Sequence, residues 1–356
     1  MSSYFRDRTL LGPLLQSVSR SFYLSIRFLP AGLRQPVGLA YLLARATDTI
    51  ADTYQIPVEV RKPTLEALAA MIQGGKESQF ETAERLLAKR SCSGSGVPNE
   101  MAEWQSSFAS LQTNEAERTL IQQLPKCLEM LGLVSPQDRH HIREVVGKIT
   151  RAQLLDLERF GTPGTIRALA TVAELNEYTY LIAGCVGEFW TDECGNHVKA
   201  CADRPLEEMR ALGRDYGAGL QLINILRDAG GDLRAGRCYL PNEDLVTAGL
   251  TPDQILLQPG KFMPIYEKWL ARAEEGLEAG MKYTLSVRPR RVRIATALPA
   301  LIGARTLALL RDAGHAVLEE KIKVPREEVR RMLRTVALTL GSKKTLEQMF
   351  RNNLKH

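Results

Sequence analysis

The sequence predicts an all-α protein, and two observations carry that prediction. Apolar residues recur at three- and four-residue intervals along almost the whole chain, the spacing that gathers side chains on one face of a helix. Runs of alternating β-branched residues, the mark of a half-buried strand, are nearly absent. The helical patterns are separated by "FLPAGLRQP" (28–36), "SCSGSGVPN" (91–99), "FGTPGT" (160–165), "GGDLRAGRCYLPNED" (230–244) and "LLQPGKFMP" (256–264). None has the length of a flexible interdomain linker, although the Ser/Gly stretch at 91–99 comes closest. No internal repeat and no low-complexity tract is present. The 356 residues are therefore expected to form one single-domain helical bundle with short loops. The last stretch, 341–356, is polar and expected to fray.

Composition sets further bounds. Hydrophobic residues make up 44% of the chain, enough for a sizeable core, and the net charge of +6 is a mild excess. The densest basic cluster, "VRPRRVR" (287–293), has no interleaved aromatics and no accompanying nucleic-acid motif. A solvated helix end is the plain reading, with an anionic substrate or membrane lipid as the alternatives, and no nucleic-acid partner is expected. Six cysteines (Cys92, Cys127, Cys185, Cys194, Cys201 and Cys238) form neither a CxxC pair nor a ligand set with histidine. Reduced thiols and a cytoplasmic setting are expected. His140-His141 reads as a surface pair, and Asp156 and Glu158 as a helix surface. The N-terminus lacks the apolar core of a signal peptide. The runs "VGLAYLLARA" and "IATALPALIGA" are too short and too interrupted to span a bilayer, so no transmembrane anchor is expected and membrane contact would be peripheral.

The first helix with chemistry to offer is "PVGLAYLLARATDTIADT". Tyr41, Arg45, Asp48 and Asp52 fall on one face, while Leu39, Ala40, Leu42, Leu43, Ala44, Ala46, Ile50 and Ala51 cover the rest of the circumference. Two aspartates four apart repel and weaken a helix, and an unpaired buried carboxylate is costly. Arg45 can neutralise one of them three residues on; the other requires a cation from elsewhere. The plainer reading is a partly exposed helix end with one intrahelical salt bridge.

A second narrow polar stripe follows in "YGAGLQLINILRDAGGDLRAGRCYLP" (216–241). Gln221, Asn224, Asp228 and Asp232 share a face flanked by Leu220, Leu222, Ile223, Ile225 and Leu226, with Arg227, Arg234 and Arg237 close by. The Gly230-Gly231 pair is expected to loosen or end the helix near Asp232, where the partial negative charge of a helix C-terminus would favour a bound cation. Two such helices can hold hard divalent cations. Mg²⁺ takes oxygen ligands, keeps several waters and is typically shared between one or two carboxylates and substrate phosphates. No His/Cys set suggests zinc, and no GxxxxGK[ST] loop suggests a nucleoside triphosphate. The chemistry that fits is diphosphate binding. The metal inverts the charge of an acidic stripe, and arginines clamp the remaining oxygens. A metal-bound diphosphate is also a better leaving group.

Four segments together are more specific than either stripe. "SRSFYLSIRFLP" (19–30), "YLLARATDTIAD" (41–52), "YTYLIAGCVGEFW" (178–190) and the segment 216–241 resemble, in order and spacing, the motifs of the squalene and phytoene synthases. These are head-to-head prenyl diphosphate synthases with the all-α isoprenoid-synthase fold around a central cavity. The resemblance covers roughly 15–310. It implies that Asp48, Asp52, Asn224, Asp228 and Asp232 carry Mg²⁺ and the diphosphates. Arg45, Arg227 and Arg237 would contact phosphate, Gln221 would line the same cavity, and Ser19, Ser21 and Phe22 would lie near one diphosphate. Tyr41 and Tyr178 match family tyrosines, Tyr178 being tied to the first step. The ring faces of Phe22, Tyr41 and Tyr178 could stabilise a carbocation, although aromatics at helical spacing ordinarily serve a core. The prenyl cavity would be formed around Ala183, Gly184 and Val186, where small residues, Gly187 included, suit a tunnel or close helix packing equally.

The implied reaction joins two farnesyl or geranylgeranyl diphosphates through a cyclopropylcarbinyl diphosphate. Squalene synthases then reduce the second cation with NADPH; dehydrosqualene and phytoene synthases lose a proton instead. Tyr283 and Pro299 in "YTLSVRPRRVRIATALPALIGA" keep a spacing similar to a third squalene synthase region, with Ala295 where eukaryotic members have an aromatic residue. The resemblance thus leans to a squalene synthase acting on farnesyl diphosphate with Mg²⁺ and NADPH, in sterol or hopanoid biosynthesis. A dehydrosqualene or phytoene synthase is the alternative. Head-to-tail prenyltransferases and terpene cyclases lack the "NILRDxxxDxxxGRxYLP" form. A non-catalytic assembly factor of the same fold would be free to lose the acidic ligands that this chain retains.

Overall fold

A computed structural model describes residues 10–19, 22–75, 100–161 and 164–355. Ser21 and Cys92 lie outside them. The architecture is all-α, as the periodicity predicts. Contacts divide it into two compact units: the chain up to Ile26 with Ala31–Gly161, and Arg27–Pro30 with the chain beyond Gly161.

In the first unit a wide π-type turn, Leu10–Leu14, leads into α1 (Leu15–Ser19), followed by α2 (Phe22–Phe28), which runs on into the second unit. Next come α3 (Ala31–Ala51), α4 (Val58–Ile72), α5 (Glu100–Ser110), α6 (Glu115–Gln122), α7 (Leu124–Leu133) and α8 (Pro136–Phe160). Leu39, Leu42, Leu43, Ala46 and Ile50 of α3 are fully buried, so this helix runs through the core of the unit. Local chemistry sets the helix starts. Asn114 accepts a bond from the Ala116 amide to cap α6, and the Ser135 hydroxyl caps α8 ahead of a first-turn proline.

The second unit holds β1 (Arg167–Leu169), α9 (Val172–Thr179), a π-type turn at Tyr180–Gly184, α10 (Cys185–His197), α11 (Leu206–Arg234) and β2 (Arg237–Pro241). These are followed by α12 (Asn242–Thr247), α13 (Pro259–Ser286), α14 (Arg290–Ala313), α15 (Arg326–Leu338) and α16 (Lys343–Lys355). The strands pair in parallel, Arg167 opposite Arg237, and tie the segment after α11 to the one before α9. Glycines let α11 press against its neighbours. A Cβ on Gly219 would lie 2.7 Å from the Gly276 Cα of α13, and one on Gly187 of α10 would lie 1.8 Å from the Gly213 carbonyl oxygen.

Several expectations change. Gly230-Gly231 does not end α11, which runs to Arg234; the turn falls at Gly236, where φ is +83°. Gly230 serves close packing, since a Cβ there would lie 2.2 Å from the Leu318 carbonyl oxygen. The described part of the 341–356 stretch does not fray: it forms α16 and buries Leu346 and Phe350, four residues apart on one face. The basic cluster 287–293 is not simply solvated: Arg293 is buried and donates to the carbonyls of Gly341, Val287 and Arg288. The run "IATALPALIGA" belongs to a longer helical stretch, Arg290–Leu318, with mean hydropathy 1.4 over its most apolar window. That window is 78% buried within the protein, as in a core helix. His140 is exposed, as is Glu158, which pairs with Lys62 at 2.7 Å. Among the described residues, Cys127, Cys185, Cys194, Cys201 and Cys238 form no disulfide.

Candidate active site

On α3 the first stripe forms as its spacing requires. The Arg45 guanidinium donates to Asp48 at 2.5 Å, the intrahelical pair expected, and also to Glu117 of α6 at 2.5 Å. Glu117 lies 72 residues away and has no signature in the sequence. Although 38% of the Asp48 side chain stays accessible, protein atoms crowd its carboxyl group. Burial first, then the Asp52 charge, push its pKa up to about 7 against the opposing pull of Arg45. Asp52 is exposed and accepts a bond from the Tyr54 hydroxyl at 3.3 Å. The Phe22 and Tyr41 rings meet at 5.4 Å between centroids, and the Tyr41 hydroxyl donates to the Val18 carbonyl at 3.2 Å. Ser19 is buried and spends its hydroxyl proton on the Leu15 carbonyl within α1.

In the second unit the other stripe lies along α11. The Asn224 amide donates to Gln221 at 3.3 Å. Asp228 is held by Arg227 and by Lys321, each at 2.6 Å. Asp232 is held by Arg237 of β2 at 2.7 Å. Burial alone would raise the Asp228 pKa, but its bonds to the two cations outweigh that and hold it below the usual carboxylate value. At Asp232 burial prevails over Arg237 and the pKa is raised. Arg227, Asp228, Asp232 and Arg237 line a cleft of about 400 Å³ with Arg234 and the segment 317–321; Gln221 and Asn224 do not line it. Arg234 faces the same cleft while donating to the Gly230 and Leu318 carbonyls at 2.8 and 2.7 Å, which fixes that segment to α11. Lys321 is the functional candidate that the motifs did not reveal. It comes from beyond α14, and only the chain's return to α11 brings it to Asp228.

Tyr178 is buried at the end of α9 and stacks on Tyr239 of β2, centroids 4.8 Å apart and planes inclined by 24°. Tyr239 is a second partner that spacing did not indicate, although it sits within the quoted "GRCYLP". The small residues find a packing role. Gly184 and Ala183 abut Gly217 of α11, where a Cβ would lie 2.0 Å from the Ala183 carbonyl oxygen, and Gly187 abuts Gly213. Val186 is half-buried. Tyr283 is buried on α13, where its hydroxyl accepts a bond from Thr191 at 3.0 Å; Pro299 lies within α14. None of Ala183, Gly184, Val186, Tyr283 and Pro299 lines the 400 Å³ cleft or a second one of about 340 Å³ along α9, α11 and α13.

The donor set suits a hard cation. The ionisable groups lining the cleft beside Asp228 and Asp232 are carboxylates and the cationic side chains of Arg and Lys, with neither thiol nor imidazole among them. Oxygen donors beside guanidinium groups are what Mg²⁺ bridging to a diphosphate requires.

The pattern of the squalene/phytoene synthases matches residues 15–328. A squalene synthase of Candida albicans is 30% identical over 234 residues, 65% of this chain and 44% of that protein. The chain thus spans about half the length of that relative. The presqualene diphosphate synthase of Zymomonas mobilis is 28% identical over 316 residues, covering 88% of this chain and 84% of that one. Among solved structures, TcSQS bound to a ligand superposes with a TM-score of 0.68 at 22% identity, over 98% of this chain and 96% of that chain. A dehydrosqualene synthase with bound ligand gives 0.58 at 19% identity, over 94% and 98%. These likenesses agree with the all-α fold. The chain belongs to the squalene/phytoene synthase family.

Proposed function

We propose that this member of the family is a prenyltransferase that condenses two farnesyl diphosphates head to head through presqualene diphosphate, and then reduces the product to squalene with NADPH. The observation that carries the condensation is the cleft on α11, where Asp228 and Asp232 stand among Arg227, Arg234, Arg237 and Lys321. Glu319 and Glu320 also line the same cleft. A hydrocarbon substrate gives no reason to interleave four cations with carboxylates in one cleft; a diphosphate delivered with a divalent cation does.

Asp48, Asp52, Asn224, Asp228 and Asp232 would hold Mg²⁺, which when bound stabilises the negative charge on the departing diphosphate. Arg227 and Arg237 already lie against the carboxylates, at 2.6 and 2.7 Å, and are positioned to turn from them to phosphate oxygens. Arg45, tied to Glu117, orients Asp48. The Ser19 hydroxyl can join a diphosphate only by giving up its bond to Leu15. Gln221 and Asn224 are neutral donors next to the carboxylates. The stacked Tyr178 and Tyr239 rings, and the Phe22 and Tyr41 rings, offer π faces that tolerate an allylic cation without supplying a nucleophile.

The extent of the reaction is the finer part of the reading. The Zymomonas mobilis relative, which aligns over the larger share of this chain, is called a presqualene diphosphate synthase, so release at that intermediate is the second reading. Purified protein incubated with farnesyl diphosphate and Mg²⁺, with and without NADPH, separates the outcomes by mass spectrometry. Squalene formed only with NADPH supports the full reaction. Presqualene diphosphate in both tubes supports early release, and dehydrosqualene in both supports proton loss. If no C30 product forms, geranylgeranyl diphosphate tests the phytoene alternative, and failure there would leave the assembly-factor reading.

A further inference from the structure

The chain's charge is concentrated. Residues 326–355 hold eight Lys and Arg against three Asp and Glu, which accounts for five of the net six positive charges of the whole protein. They form α15 and α16, whose inner faces bury Met332, Val336, Leu346 and Phe350. Part of the charge is spent internally, with Lys343 on Asp203 at 2.9 Å and Arg351 on Glu278 at 2.8 Å. The outer face of α15 is not spent in this way. Arg330, Arg334 and Leu338 recur every four residues, Arg331 flanks them, and all four are exposed. Among the described residues the three arginines make no ion pair. At the end of this basic face stand Leu338, 84% exposed, and Leu340, 57% exposed; Leu338 is the most exposed large hydrophobic side chain of the described protein.

We propose that the outer face of α15, with the α15–α16 corner, docks the protein on an anionic lipid surface. The charge says what lies opposite. Arg331 lies close enough to Glu328 to help lower its pKa, but among the described residues none of the three exposed arginines is held in an ion pair. Such a face suits a surface rich in phosphate headgroups, where each basic residue contributes about 1 kcal/mol. The two leucines say that this surface is penetrable. Leu338 closes the face that carries Arg330 and Arg334, and Leu340 follows in the turn after α15. Both are costly in water and gain by entering the boundary between headgroups and acyl chains, which neither a nucleic acid backbone nor a soluble polyanion provides. A 13-residue helix lying flat presents roughly 20 Å of contact. Docking is reversible, because electrostatic attraction and two shallow side chains fall short of an anchor. The inference rests on the exposed face and not on the catalytic reading, although a hydrocarbon product would have the bilayer as its natural destination.

The test uses the full chain without substrate and phosphatidylcholine vesicles with or without phosphatidylglycerol, read by co-sedimentation. The protein should bind the anionic vesicles, and added salt should weaken binding. The combined Arg330→Gln, Arg331→Gln, Arg334→Gln variant should lose about a hundredfold in affinity, the sum of three contacts of ~1 kcal/mol. Leu338→Ser should lose about tenfold, in line with one buried leucine. Both variants change exposed side chains, so their melting temperatures should match the parent. Unchanged vesicle binding by the triple variant would overturn the proposal, as would equal binding of the parent to neutral vesicles. So would parent self-association that Leu338→Ser abolishes, which would make this face a contact between copies, or equally tight binding to duplex DNA. Because no turnover is measured, a failed condensation assay leaves this test unaffected.

Discussion

Asp48 is the side chain at which the fold and the proposed metal would be coupled. Its pKa, pushed up to about 7 by burial and by Asp52, lies above the value in an unfolded chain. The stability contributed by keeping it protonated is therefore present in acid and is lost as pH rises through about 7. A bound cation reverses the preference, since it needs the ionised carboxylate and expels the proton. Mg²⁺ should thus raise the melting temperature more on the alkaline side of about 7 than on the acid side, and Asp48→Asn should remove that difference. A Mg²⁺ shift independent of pH would show that Asp48 is not a ligand. On α11 the environment works the other way for Asp228, whose carboxylate is kept ionised by Arg227 and Lys321. The Arg45–Asp48 pair was legible from a separation of three residues. Glu117, Lys321 and Tyr239 were not, because each meets its partner through packing between segments far apart in the chain.

Among the elements, α11 has the most asked of it. It carries the second acidic stripe on one side and packs against α10 through Gly213, the π-type turn at Tyr180–Gly184 through Gly217, and α13 through Gly219. The glycine pair within it separates two roles that the sequence could not distinguish. A Cβ at position 230 would lie 2.2 Å from the Leu318 carbonyl oxygen, whereas one at 231 meets nothing within 4 Å. Gly230→Ala should therefore push the 314–321 segment off the helix and cost about 3 kcal/mol, as overpacking against backbone does. Gly231→Ala should be neutral or stabilise by up to ~1 kcal/mol through helix propensity. Urea midpoints check both, and equal effects would mean that α11 and the segment adjust freely. From sequence the pair read as a helix end, since glycine signals a C-terminus locally and a close approach only through a neighbour. The C-terminal stretch misled in the same way. Leu346 and Phe350 are too few to look like a core face until α14 supplies the other half.

For the whole molecule, the proposed reaction requires acidic stripes that belong to different compact units. Asp48→Asn and Asp228→Asn should each lower turnover by at least about a thousandfold, the loss expected when a charge-stabilising group of the transition state is removed, while circular dichroism stays unchanged. Near-normal product from either variant would mean that one stripe suffices. The sequence by itself determined the helical class, the two acidic stripes and the arginines beside them, because these depend on separations of three, four and seven residues within one helix, which the backbone geometry converts directly into a shared face. Tertiary structure alone decided the long-range ion pairs, Arg45 with Glu117 and Lys321 with Asp228, that Gly230 seats a neighbouring chain segment, and that a polar tail is a docked helix. Those outcomes depend on backbone approach and burial between residues tens to hundreds of positions apart, for which a single sequence carries no spacing to read.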